Sequence, residues 1–97
     1  MEVSIKPSNL KTKKLTAIFY KNGKKIKTVN FGAKGYSDFT IHKDPKRKNR
    51  YLDRHKKNEN WNDPMTAGSL SRWILWNLPT LDASIKDYLT RFKLKRL

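Results

Sequence analysis

Arg47, Arg50, Arg54 and Lys57 recur at three- and four-residue intervals inside the segment KDPKRKNRYLDRHKK, residues 43–57. On a helix that spacing sets the four cations along one side over roughly 15 Å, at 1.5 Å per residue, a comb suited to a run of phosphates. Asp44 is a candidate N-cap and Pro45 fits the first helical position, where a missing N–H costs nothing, so the helix is expected to start there. The segment packs eight Lys/Arg against two Asp. A plainer reading of the same residues is a solvated helix face tied by the i,i+4 pairs Asp44/Lys48 and Asp53/Lys57.

A second polar cluster precedes it, Ser37-Asp38-Phe39-Thr40-Ile41-His42. Pro45 disfavours helix just upstream, so Phe39–His42 is expected to be extended. The two-residue period of a strand then puts Asp38, Thr40 and His42 on one face. The chemistry open to them is a general base, His42 oriented by Asp38, or a metal site shared with Asp44 and His55. Their spacing matches no metal or nucleophile motif. Asp38 and Thr40 are therefore expected to satisfy backbone donors near the FGAKG turn, and His42 to pack or to bind phosphate. No catalytic residue, metal or cofactor is expected, and the protein is not expected to be an enzyme.

Charge extends beyond this region. The 97 residues carry 23 Lys/Arg and 8 Asp/Glu, a formal net charge of +15. Positive excess falls in three blocks, residues 1–34, 43–57 and 86–96. Any fold must present extensive positive surface, which draws in polyanions. Every basic residue before position 47 is Lys, a hydrated point charge, whereas Arg makes planar two-point contacts. The amino-terminal third thus reads as a diffuse electrostatic surface and the central segment as a shaped one. Candidate nucleic-acid contacts are Lys43, Lys46, Arg47, Lys48, Arg50, Arg54 and Lys57, with Lys24, Lys25 and Lys27 before them and Lys86, Arg91 and Lys93 after them.

The elements that must position these groups follow from period and turn chemistry. Glu2–Lys6 is expected as a first strand. Leu15–Tyr20 and Ile26–Phe31 flank Asn22-Gly23, a strong type I′ signal, and so predict a hairpin. Thr66 to Asn77 is expected as one helix with Leu70, Trp73, Ile74 and Asn77 on one face and Leu75 and Trp76 on another, hence sandwiched in the core or shared with a partner. Pro79 breaks it and Thr80 caps the next. There Leu81, Ile85, Tyr88, Leu89 and Phe92 form an apolar stripe that leaves Lys86, Thr90 and Lys93 to solvent. Tyr20 and Tyr36 are expected in packing or turn roles, with stacking on bases the rarer alternative. The expected architecture is α+β in one domain, residues 1–97: residues 1–42 mainly a β-hairpin region and residues 43–97 mainly helical, a small antiparallel sheet packed against two or three helices. With no Cys in the chain, disulfides and thiolate metal sites are excluded. No apolar run is long enough to span a bilayer, and the first residues lack an apolar signal core, so an intracellular, unsecreted protein is expected.

The stretch from Phe31 to Phe92 resembles a family of small basic proteins of large double-stranded DNA viruses of algae and amoebae. The likeness is carried by FGAKGYSDFT, the His42/Asp44 pair, RKNRYLDRH, the tryptophan of NENW, and TAGSLSRWILWNLPTLDASI. It implies a viral protein of the virion interior or of a viral factory in the host cytoplasm, and it carries over no activity. The function expected from charge and resemblance together is sequence-tolerant binding of nucleic acid, double-stranded DNA first, in genome packaging or condensation. The alternative is a structural virion protein whose helices meet a partner protein or an anionic surface. A homodimer would extend the positive face.

Overall fold

Asn22 and Gly23 both adopt positive φ, 52° and 78°, which matches the twist that a two-residue turn must impart to its strands. The turn joins strand β2 (Lys13–Lys21) to β3 (Lys24–Ala33). Strand β1 (Glu2–Pro7) lies antiparallel to β2, with Val3 opposite Phe19 and Ile5 opposite Ala17. That register sends Val3, Ile5, Ala17, Phe19, Val29 and Phe31 to one face, where all six are buried. The computed structural model describes residues 1–97.

Four helices cover or flank the sheet. Helix α1 (Phe39–His42) is a single turn, α2 spans Pro45–His55, α3 Ala67–Leu70, and α4 Leu81–Phe92. The core joins the buried sheet face to Leu70, Ile74, Leu75, Ile85, Tyr88 and Leu94. Each fully buried apolar side chain there is worth about 1.5–3 kcal/mol of transfer free energy. Fold class is thus α+β, a four-stranded sheet backed by helices. No helix is long and apolar enough to cross a membrane.

Three segments depart from expectation. Phe39–His42 is helical, not extended, because the buried Asp38 side chain caps it, accepting from Thr40 N at 2.9 Å. The restriction from Pro45 reaches only Asp44, which is extended at φ −98° and ψ 109°. Asp38, Thr40 and His42 therefore do not share a strand face. The helix expected across residues 66–77 runs from α3 straight into a π-helical turn, Ser71–Leu75, closed by Trp76 N donating to Ser71 O at 3.0 Å. The wider turn lets the adjacent Ile74 and Leu75 both enter the core while Trp73 and Trp76 are half-buried, so the sandwiched reading holds. Finally, Lys95–Arg96 forms a short strand β4, parallel to β1, giving the order β3-β2-β1-β4. Lys93 ends α4 in the left-handed region at φ 54°, and Leu94 then enters the core beside the sheet edge.

Candidate functional site

A cleft of about 490 Å³ opens where β2 begins and β3 ends, away from the hairpin turn. One wall is β2 and β3 at Lys13, Lys14 and Gly32; the other is α2, with α3 and the π-turn behind. Gly32 at φ 79° is what lets the walls meet, since a Cβ there would lie 2.7 Å from Leu75 Cδ1. Apart from Lys13 and Lys14, every lining residue comes from four sequence segments: FGAKGYSDFT, RKNRYLDRH, NENW and TAGSLSRWILWN.

Helix α2 is held in place from two directions. Its N-cap Asp44 accepts from Lys46 N at 2.9 Å. Lys48 turns inward, where its Nζ donates to Asn77 O at 2.6 Å and lies 4.9 Å from the centre of the Phe39 ring. Burial lowers the Lys48 pKa, and Arg72 adds to the effect. On the cleft side, Tyr51 stacks against Trp76 (4.1 Å between ring centres, 2° between planes) and against His55 (4.2 Å). Burial pushes the Tyr51 phenol up to about 12, so it is a neutral hydroxyl at physiological pH.

These anchors set the direction of the arginines. Arg47, Tyr51, Arg54 and His55 stand at i, i+4, i+7 and i+8 and line the cleft together. Both carboxylates in the lining are engaged by neighbours. Asp38, 2% exposed, accepts from Lys14 Nζ at 2.6 Å as well as from Thr40. Glu59 accepts from Trp61 Nε1 at 2.8 Å, lies 3.1 Å from His55 Nδ1, and packs where a Cβ on Gly68 would meet it at 2.8 Å. Lys13, Arg47 and Arg54 have no carboxylate within ion-pair distance. The cleft therefore combines free cations with an aromatic stack and the hydroxyls of Ser37 and Ser71. Such a set is chemically suited to an anion.

Of the candidate nucleic-acid contacts named from sequence, only Arg47 and Arg54 reach this cleft. Lys46, Arg50 and Lys57 are exposed but outside its lining, so the four-cation comb splits into two facets. Lys48 does not belong to it, because its ammonium is spent on Asn77 and Phe39. The i,i+4 pairs are replaced likewise: Asp53 meets Lys56 at 3.5 Å rather than Lys57. Lys43 donates to Thr40 O at 3.0 Å. Lys24, Lys25 and Lys27 are exposed beside the hairpin turn, roughly 15–25 Å of strand away from the cleft. On α4, Lys86 pairs with Asp82 at 3.5 Å, Lys93 is an exposed cap, and Arg91 lies 3.7 Å from the centre of the Trp73 ring with Asp87 at 3.3 Å.

His42 does not serve the cleft. Its Nδ1 accepts from Asp44 N at 2.9 Å and its Nε2 is buried without a partner. Nor do three or more His, Asp or Glu side chains converge as metal ligands. Of the two roles expected for Tyr36 the structure gives the turn, its N–H donating to Ala33 O at 3.3 Å, and not packing: the residue is 74% exposed and lines the cleft. Sequence reasoning also passed over Lys13, Tyr51 and Ser71, and weighed His55 only as a metal ligand. For Tyr51 and His55 a signal existed, since they share the helical phase of Arg47 and Arg54. For Lys13 and Ser71 only the tertiary fold supplies the neighbourhood.

A small basic α+β protein with a cation-lined cleft is the class that fold and site define. Residues 3–55 match a family of unknown function, DUF5754, over more than half of the chain, and the protein belongs to that family. No curated protein and no solved structure matches it.

Proposed function

We propose that this protein binds nucleic acid through its phosphates, with little reading of base sequence. The observation that carries the reading is the imbalance of paired and unpaired charge. Of 23 Lys/Arg side chains, only Lys14, Lys56, Lys86 and Arg91 lie within 4.0 Å of a carboxylate. Of the other nineteen, Lys48 is held by Asn77 O and Phe39 and Arg72 by Trp76 O and the rings of Trp61 and Trp73; the rest can replace counterions on a polyanion, and such exchange needs no base contact. Asp38 and Glu59 are occupied by Lys14, Trp61 and His55, so neither neutralises Lys13, Arg47 or Arg54, which fits a binder of polyanions. The resemblance of the four cleft segments to proteins of large DNA viruses supports a setting in a virion or viral factory, with packaging or condensation of the genome as the role.

Titration of labelled duplexes of unrelated sequence across a salt series tests the proposal. With about six phosphates neutralised, log K falls against log[salt] with a slope near −5, at roughly 0.9 per contact. Affinity is expected to be the same for each sequence. A slope near zero, or a strong preference for one duplex, overturns the reading.

A further inference from the structure

We infer that the cleft receives one unpaired nucleotide of a single strand, its phosphate at Arg47, Arg54 and Lys13 and its base on the exposed ring of Tyr36. This rests on the nucleic-acid reading and deepens it. A duplex cannot enter: its bases are stacked and paired, and the cleft, at about 490 Å³, has the size of sites that enclose a small ligand. Phosphate contacts alone would need no cavity. What sets the cleft apart from the rest of the basic surface is an aromatic ring beside free guanidinium groups.

Tyr36 supplies that ring. Both faces of Tyr51 are covered, by His55 and Trp76, so Tyr51 is wall rather than platform. Tyr36 is 74% exposed, directly after Gly35 at φ 92°, and a large ring left in water gains by stacking on a base of any sequence. The lining cations Lys13, Lys14, Arg47 and Arg54 outnumber the carboxylates Asp38 and Glu59 by two. One phosphate is thereby accommodated, and Ser37 and Ser71 offer hydroxyls to sugar or base edges. The occupant is part of a strand rather than a free nucleotide because unpaired cations continue beyond the cleft: Lys46 and Arg50 are exposed on the same helix as Arg47 and Arg54, and Lys57 is exposed in the turn that follows it. A strand entering the cleft would run onto them.

The test compares three labelled probes of equal length by fluorescence anisotropy at physiological salt: oligothymidine, the same backbone with abasic sites, and a duplex. Wild-type protein is expected to bind oligothymidine about tenfold or more tighter than the abasic strand, the ratio that one stacked base supplies. Tyr36→Ala brings that ratio close to one, and Tyr36→Phe keeps it. Arg47→Ala with Arg54→Ala weakens both strands together, as does removal of Lys24, Lys25 and Lys27, which leaves the ratio at its wild-type value. Thymidine monophosphate competes poorly with the strand. Equal binding of the two strands by wild-type protein, a ratio unmoved by Tyr36→Ala, or efficient competition by the mononucleotide overturns the inference while duplex binding still supports the broader reading. Failure to bind any of the three at low salt overturns both.

Discussion

Asp38 is the residue whose loss should tell most about the cleft wall. It is 2% exposed, caps α1 through Thr40 N, and takes the Lys14 ammonium at 2.6 Å. A buried carboxylate with all its partners contributes mainly by leaving none of them unpaired. Asp38→Ala strips the cap and strands Lys14, and should cost about 2–4 kcal/mol in a urea titration. Asp38→Asn keeps an acceptor for Thr40 N and removes only the charge, so it should recover the roughly 1 kcal/mol of a cap. Equal losses in the two variants would mean that the cap is not part of the stabilisation. His42 gives the residue-scale pH dependence. Burial lowers its pKa below 6.5, Arg47 adds to this, and Asp44 and Asp38 oppose it. Protonation at Nδ1 would also break the bond from Asp44 N. The folded state thus binds fewer protons than the unfolded chain just below pH 6.5, so stability is full above that value and declines as pH falls through it. His42→Asn, which retains an acceptor near the Nδ1 position, should flatten the fall in melting temperature between about pH 7 and 5.5. A wild-type profile reproduced by the variant would remove His42 as the cause.

Helix α2 carries Arg47 and Arg54 yet has no fully buried residue; its attachment is the Tyr51 stack and the Lys48 anchor. Elements with few buried apolar groups open below the global unfolding free energy. Amides of α2 should therefore exchange with deuterium faster than those of α4, where Ser84, Ile85 and Tyr88 are buried. Tyr51→Ala should speed exchange in α2 while β2 and α4 keep their protection. Exchange of α2 at the rate of the core would show that it is not a separate unit. The same difference explains which elements could be read in the sequence. The hairpin was legible because Asn22-Gly23 and the alternation of Ala17, Phe19, Val29 and Phe31 are local signals. The start of α2 at Asp44-Pro45 and of α4 at Thr80 was legible for the same reason. Helix α1 was not, since Pro45 suggested extension and the competing cap by Asp38 is completed by Lys14, twenty-four residues away. The π-turn and β4 depend on how Leu75 and Leu94 reach the core, which no local pattern encodes. At the cleft, charge pointed to Arg47 and Arg54, but charge alone does not distinguish them from Lys48, whose surroundings are set by Asn77 and Phe39.

The balance of the whole molecule is decided by its field. At +15 with nineteen cations outside any ion pair, folding gathers like charges that the unfolded chain holds further apart, so self-repulsion opposes the compact state. Salt screens that repulsion and also screens attraction to phosphates. The two effects have opposite consequences for the protein. Raising sodium chloride from about 0.05 to 0.5 M shortens the screening length from roughly 14 Å to 4 Å, and the melting temperature of the free protein should rise. Chloride is the right probe here because sulfate would stabilise by exclusion from the surface as well. Over the same range nucleic-acid affinity should fall steeply, since counterion release scales with the logarithm of salt. A ligand that binds only the folded state stabilises it by RT ln(1 + [L]/Kd), so the added stability from a fixed concentration of oligonucleotide should be largest at low salt and vanish at high salt. The melting curves with and without oligonucleotide should accordingly converge from below as salt increases, the free protein rising to meet the complex. A free-protein melting temperature that falls with chloride would mean that the isolated ion pairs, Lys14–Asp38 above all, outweigh the repulsion of the unpaired surface.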